Sequence, residues 1–139
     1  MSVLITDKGF APDNWAHGFT SVEQLAANDM PPTFAVDLPS DIDPTAISDR
    51  LADIDMIRVD FPNFADGRGF TIARRLRLMG FKGRLRAKGH VIADQYAMAR
   101  RSGFDEVEID DELAHRQLES HWLARANWRD YDYQSRLKA

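Results

Sequence analysis

Four short segments alternate apolar and charged residues with a period of two, and this pattern restricts the fold more than any other feature. In Thr33–Leu38, Phe34, Val36 and Leu38 share one side and Asp37 takes the other. In Met56–Phe61, Ile57, Val59 and Phe61 oppose Arg58 and Asp60. In Arg84–Lys88, Leu85 and Ala87 oppose Arg84, Arg86 and Lys88; in Glu106–Ile109, Val107 and Ile109 oppose Glu106, Glu108 and the following Asp110. Successive strand side chains point to opposite faces, so each segment offers one face to a core and one carrying charge. Strands covered on both faces would read as near-continuous Val, Ile and Leu instead.

Helical patterns separate these segments and an earlier strand at Val3–Thr6. Ser21–Asn28 follows Thr20 as N-cap, and Pro44–Ile54 opens on Asp43-Pro44 with Ile47, Leu51 and Ile54 at helical spacing. Phe70–Met79 ends at Gly80, Val91–Ser102 ends at Gly103, and Asp111–Asn127 reads as a longer helix. Strands spaced by helices imply βαβ units and a parallel sheet. The expected fold is α/β: alternating βα units with a mainly parallel five-stranded sheet, open and half-barrel-like, its charged side chains on the concave side. A flavodoxin-like three-layer sandwich is the alternative, but its second helical layer would have to cover the arginines. With 139 residues and no linker, residues 1–139 form a single expected domain, with 128–139 as a flexible or docking tail carrying Trp128, Tyr131 and Tyr133.

Composition narrows the chemistry. There is no cysteine, so disulfides, a thiol nucleophile, thiolate zinc and a protein-ligated iron–sulfur cluster are excluded for this chain. Any electrons it handles must travel on a borrowed carrier. No signal peptide and no run of about 20 apolar residues is visible, so a cytoplasmic protein without a membrane partner is expected. A net charge of -4 argues against nucleic acid. The charge is uneven, however: Gly67 to Ala93 contains no acid but carries Arg68, Arg74, Arg75, Arg77, Lys82, Arg84, Arg86 and Lys88.

The loop "FPNFADGRGF", Phe61 to Phe70, is the strongest ligand signal. Pro62 stops the ladder, and Gly67 and Gly69 flank Arg68 where a helix begins. Unpaired N–H groups at a helix start favour anions, and a guanidinium fork suits sulfate, phosphate or carboxylate. Asp66 reads as an N-cap or as part of that site. Ile72 stands where a GxGxxG nucleotide fingerprint needs a small residue, and no P-loop exists, so no cofactor is assigned. Arg68 is expected beside a concavity shared with Asp37, Asp60 and Gly89, at the carboxyl ends of the strands.

Phe61-Pro62-x-Phe64-x-Asp66-Gly67-Arg68-Gly69-Phe70, Ala73-Arg74-x-Leu76-Arg77, Leu85-Arg86-Ala87-x-Gly89-x-Val91-x-x-Asp94-Gln95 and Arg100-Arg101-x-Gly103-Phe104-Asp105 resemble the bacterial DUF934 family. Its members are small cytoplasmic proteins commonly named as oxidoreductases of sulfite reduction. The resemblance implies an accessory protein or oxidoreductase of assimilatory sulfite or sulfate reduction, with sulfite reductase or another sulfate-assimilation enzyme as partner. A non-catalytic anion-binding or interaction module of that pathway is the alternative. No catalytic residue comes with the resemblance. Asp94 and Gln95 enter the candidate site through it, Asp94 suited to the helix dipole and Gln95 to a hydrogen bond with the preceding loop.

Asp60 and Arg86 lie on adjacent strands and face the charged side, so a salt bridge between them is expected. Such an Asp keeps a low pKa and makes a poor general acid. Asp111, His115 and Glu119 share a helical face, but no matching ligand cluster supports a metal site, and none is assigned. The aromatic tail and the charged concave face make self-association into a homodimer an expectation as well.

Overall fold

The structure is a computed structural model that describes residues 2–27 and 29–131. Six strands form one mixed, mostly parallel sheet in the order β2-β1-β6-β5-β4-β3. The parallel part is β3 (Ala35–Leu38), β4 (Met56–Phe61), β5 (Arg84–Gly89) and β6 (Glu106–Asp110). These four follow one another across the sheet without a reversal, as in a segment of a βα barrel. The direction change of a flavodoxin-like sandwich does not occur among them.

The sixth strand corrects the expected five. β1 (Ser2–Thr6) and β2 (Gly9–Ala11) form a hairpin, and β1 runs antiparallel to β6. Thr6 pairs with Gly9 across the turn residues Asp7 and Lys8. A two-residue turn can join only antiparallel strands, and Gly9 takes the positive φ of 106° that a side chain would resist.

The alternation read from the sequence sorts the two faces. Ile5, Val36, Leu38, Ile57, Val59, Phe61, Leu85, Ala87, Val107 and Ile109 belong to one hydrophobic cluster with Leu25, Ile47, Leu76, Tyr96 and Trp122 from the helical segments. Among the described residues six helical segments pack on that face, besides the short 3₁₀ turns Ala93–Gln95 and Trp128–Tyr131. The six are α1 (Val22–Ala27), a 3₁₀ segment at Pro44–Asp53, α2 (Arg68–Leu78), α3 (Tyr96–Ser102), α4 (Asp111–Arg116) and α5 (Glu119–Leu123).

Several helices depart from their sequence patterns for local reasons. Thr20 does not cap α1: it bridges Val36 at the sheet edge, while Ser21 and Gln24 exchange the reciprocal capping bonds. Asp43 does cap Pro44–Asp53, but Ile47 leaves helical geometry inside it. The long helix expected over Asp111–Asn127 breaks at Gln117 and Leu118. There the Gln117 carbonyl accepts the Trp122 indole N–H at 3.0 Å and its side chain accepts the Ala93 amide at 2.9 Å. Tertiary bonds outweigh the continuation of the helix.

Phe61 is the contact on which α2 seats. Its ring lies 5.0 Å from that of Phe70 and 5.8 Å from that of Phe104. A Cβ at Gly69 would sit 2.4 Å from the Phe61 ring, whereas one at Gly67 would meet nothing nearer than 3.8 Å. The second glycine of the loop thus exists to bring helix against strand. Gly69→Ala should overpack this contact and destabilise by about 1–3 kcal/mol, while Gly67→Ala costs less than about 1 kcal/mol. Urea denaturation of the two variants checks this, and equal losses would contradict the packing role.

Candidate functional site

The second face of the sheet is a closed lattice of ion pairs. Arg86 on β5 is fully buried. Its guanidinium donates to Glu106 at 2.6 Å, to Glu108 at 2.7 Å and to both oxygens of Asp13 at 3.2 Å. Arg58 on β4 grips Asp37 through two bonds of 2.6 and 2.8 Å and reaches over β5 to Glu108 at 3.1 Å. Arg84 grips Glu106 at 2.6 and 2.8 Å and touches Asn14. Glu106 and Glu108 are each 5% exposed, and among the described residues no buried side-chain nitrogen or oxygen lacks a hydrogen bond. Burying a charge is costly unless it is paired and hydrogen-bonded, and here each is.

A strap supplies the cover. After β2, at one edge of the sheet, residues 12–19 cross the charged face to the opposite edge, where Thr20 lies against β3. On the way Asp13 meets Arg86, Asn14 meets Arg84, and the Phe19 ring stacks 3.4 Å from the Arg58 guanidinium. Trp15 stiffens the crossing by donating its indole N–H to the Gly18 carbonyl at 2.7 Å. Burial pushes the Asp13 carboxyl up, but the Trp15 amide and the Arg86 guanidinium outweigh it and hold its pKa below 3.8. Burial also opposes the charges of Arg58 and Arg86, and their carboxylate partners override it, so both are held more firmly protonated.

The "FPNFADGRGF" loop is organised by its own residues. Asp66 accepts the Arg68 amide at 3.1 Å and the Arg68 guanidinium at 2.9 and 2.6 Å, and Ser40 takes a further bond of 3.0 Å. The Arg68 guanidinium beside it brings the Asp66 pKa down to about 2. The fork expected to hold a free anion is thus engaged by a carboxylate two residues away. Arg68 and Gly67 are exposed, and Gly69 is packed under Phe61.

The expected concavity forms at the carboxyl ends of the strands, but with different neighbours. A cleft of about 450 Å³ is lined by Asp37, Arg58, Asp60 and Lys88, together with the start of α1; residues 66–69 are not part of its wall. Asp60 stands beside Lys88 in the ladder and does not pair with Arg86, because the arginine points its fork at Glu106, Glu108 and Asp13. A smaller pocket of about 150 Å³ shares Lys88 and adds Gly89, His90, Asp110 and Arg116. Gly89 holds φ at 116°, and a Cβ there would come within 2.6 Å of the Phe61 carbonyl.

Gln95 bonds to the loop before its helix as expected, its side chain accepting the Ile92 amide at 3.1 Å, and it also donates to the Phe64 carbonyl at 2.9 Å, while Asp94 faces Arg125 at 2.9 Å on the helical side. His115 and Glu119 fall on separate helices. The imidazole bonds to the Asp111 carbonyl, and Glu119 accepts the Phe10 amide at 2.8 Å. Among the described residues no group of three or more His, Cys, Asp or Glu is placed to hold a metal ion. The tail expected over 128–139 falls outside the described residues beyond Tyr131. Its first residue, Trp128, docks on its own chain, with its ring 4.7 Å from the Arg100 guanidinium and its indole N–H 3.3 Å from Asp7.

Asp13, Asn14 and Phe19 escaped sequence reasoning because nothing in a turn-like stretch states which strands it will cross. Lys88 was visible as the last charged residue of its strand, and Glu106 and Glu108 as the acidic side of theirs. Their meeting with Arg86 follows from β5 and β6 being neighbours.

A family model described as a bacterial protein of unknown function (DUF934) matches residues 35–139. No curated protein and no solved structure matches the chain. Among the described residues no helix is long and apolar enough to cross a membrane.

Two measurements test the lattice. Arg86→Met leaves Glu106 and Glu108 buried with fewer donors and should cost about 3–5 kcal/mol in chemical denaturation. Because the folded pKa of Asp13 is depressed, its contribution is present above 3.8 and is lost as pH falls through the folded value. Asp13→Asn should therefore flatten the acid limb of stability against pH below about pH 4 and leave its shape near neutrality unchanged. An unchanged acid limb would contradict the pairing with Arg86.

Proposed function

The chain belongs to the DUF934 family, and on that premise we propose that it is a non-catalytic accessory protein of assimilatory sulfite reduction in the bacterial cytoplasm, acting with sulfite reductase or another sulfate-assimilation enzyme. The pathway rests on the family resemblance carried by the motifs from Phe61 to Asp105. The accessory role rests on one structural observation: five arginines of the basic stretch are bonded to their own chain. Arg68 is held by Asp66, Arg75 by Asp43, and Arg84 and Arg86 by Glu106 and its neighbours. Arg77 donates to the carbonyls of Phe81, Gly83 and Gly103. Guanidiniums committed in this way build a scaffold and do not form a preorganised oxyanion hole for sulfite, which needs free donors aimed at developing charge.

As an oxidoreductase the chain would depend on a borrowed electron carrier, since it has no cysteine to hold a cluster. A deletion strain lacking any second copy should grow poorly with sulfate as sole sulfur source and normally with cysteine. Normal growth on sulfate would remove the pathway assignment. An affinity-tagged chain should recover a sulfur-assimilation enzyme, and the purified protein should be colourless. A bound chromophore with flavin-like absorbance would overturn the non-catalytic role.

A further inference from the structure

Lys88 breaks the rule that governs Arg58, Arg84 and Arg86 on the same face. Among the described residues its ammonium has no carboxylate within ion-pair distance, although Asp60 and Glu108 flank it in the ladder. Asp60 lines the larger cleft with Lys88 without forming an ion pair, and the other two neighbouring carboxylates are engaged elsewhere. Glu108 is shared between Arg58 and Arg86, and Asp110 accepts the Leu113 amide at 2.8 Å to cap α4. Lys88 stands at the carboxyl end of β5, where parallel α/β sheets place their ligands. The pocket beside it, about 150 Å³, is also lined by His90 and Arg116 and by those two carboxylates, Glu108 and Asp110, both already engaged within the fold. Arg116 keeps only a loose 3.8 Å pair with Glu112, and the exposed His90 ring touches the edge of Phe64 at 5.3 Å.

We infer that this pocket is a binding site for a small oxyanion with three or more oxygens, of the phosphate, sulfate or sulfite type, held by Lys88, His90 and Arg116. The volume suits an anion of a few heavy atoms. Lys88 provides a compact charge with three donors, Arg116 a planar fork, and His90 a ring nitrogen, each from a different element of the fold. Donors from three parts of the fold suit a non-planar anion better than a planar carboxylate. The site is distinct from the Arg68 loop, whose fork is closed by Asp66. The inference goes beyond the accessory role and stands or falls without it.

Amide and imidazole NMR of the full chain, titrated with inorganic phosphate, sulfite and acetate at constant ionic strength, tests it. Phosphate and sulfite should give saturable shifts confined to Lys88, Gly89, His90, Asp110 and Arg116, with a Kd of roughly 1–10 mM. Lys88→Gln should weaken binding about tenfold, as should Arg116→Gln, while Lys82→Gln in the exposed turn before β5 changes nothing. Growth of the deletion strain has no bearing on this result. Non-saturating shifts, acetate binding as tightly as phosphate, or an equal loss in Lys82→Gln would overturn the site.

Discussion

Burial of Arg86 is the constraint on which the rest of the structure depends. A guanidinium with no exposed surface has to be surrounded by acceptors, and one strand cannot provide them. β6 supplies Glu106 and Glu108, and the strap supplies Asp13. Glu108 then binds Arg58, which binds Asp37, and Glu106 binds Arg84. The pairs run from β3 to β6, so one buried cation organises the polar face of the whole parallel sheet.

The same requirement explains why this sheet needs helices on only one side. An ordinary α/β sheet hides both faces under apolar layers, whereas here the second face is closed by charge pairing and a single extended strap. The N-terminal hairpin contributes by delivering the strap to the correct edge. Asp7 in its turn is tied to Tyr96 at 2.6 Å and to Arg100, which fixes the hairpin against α3. The strap lies before residue 35, where the family match begins, yet it completes an ion lattice built within the matched residues. At the carboxyl end of β5 the lattice stops, and Lys88 is left facing the cleft.

The alternation at Arg58, Arg86, Glu106 and Glu108 was legible because strand periodicity needs no knowledge of neighbours. Once the parallel order was inferred, so was a face with basic and acidic strands side by side. What could not be read depended on contacts distant in sequence. The role of Gly69 is set by the Phe61 ring, and a Gly-Arg-Gly loop looks the same whether an anion or a benzene ring approaches it. The pairing of Arg86 with Asp13 spans 73 positions and depends on where the strap crosses. Arg68 was the reverse case: its partner, Asp66, stood two residues away, and the local pair satisfied the arginine before any ligand could.

A double-mutant cycle between Asp13 and Arg86 tests the organising role of this arginine most directly. Asp13→Ala, Arg86→Met and the double variant would be compared with the parent chain by equilibrium denaturation near neutral pH. A strap held to the sheet through this pair gives a coupling energy of roughly 0.5–3 kcal/mol, with the double variant losing less than the sum of the single ones. Strict additivity, within about 0.3–0.5 kcal/mol, would contradict it and leave the strap resting on the sheet without closing it.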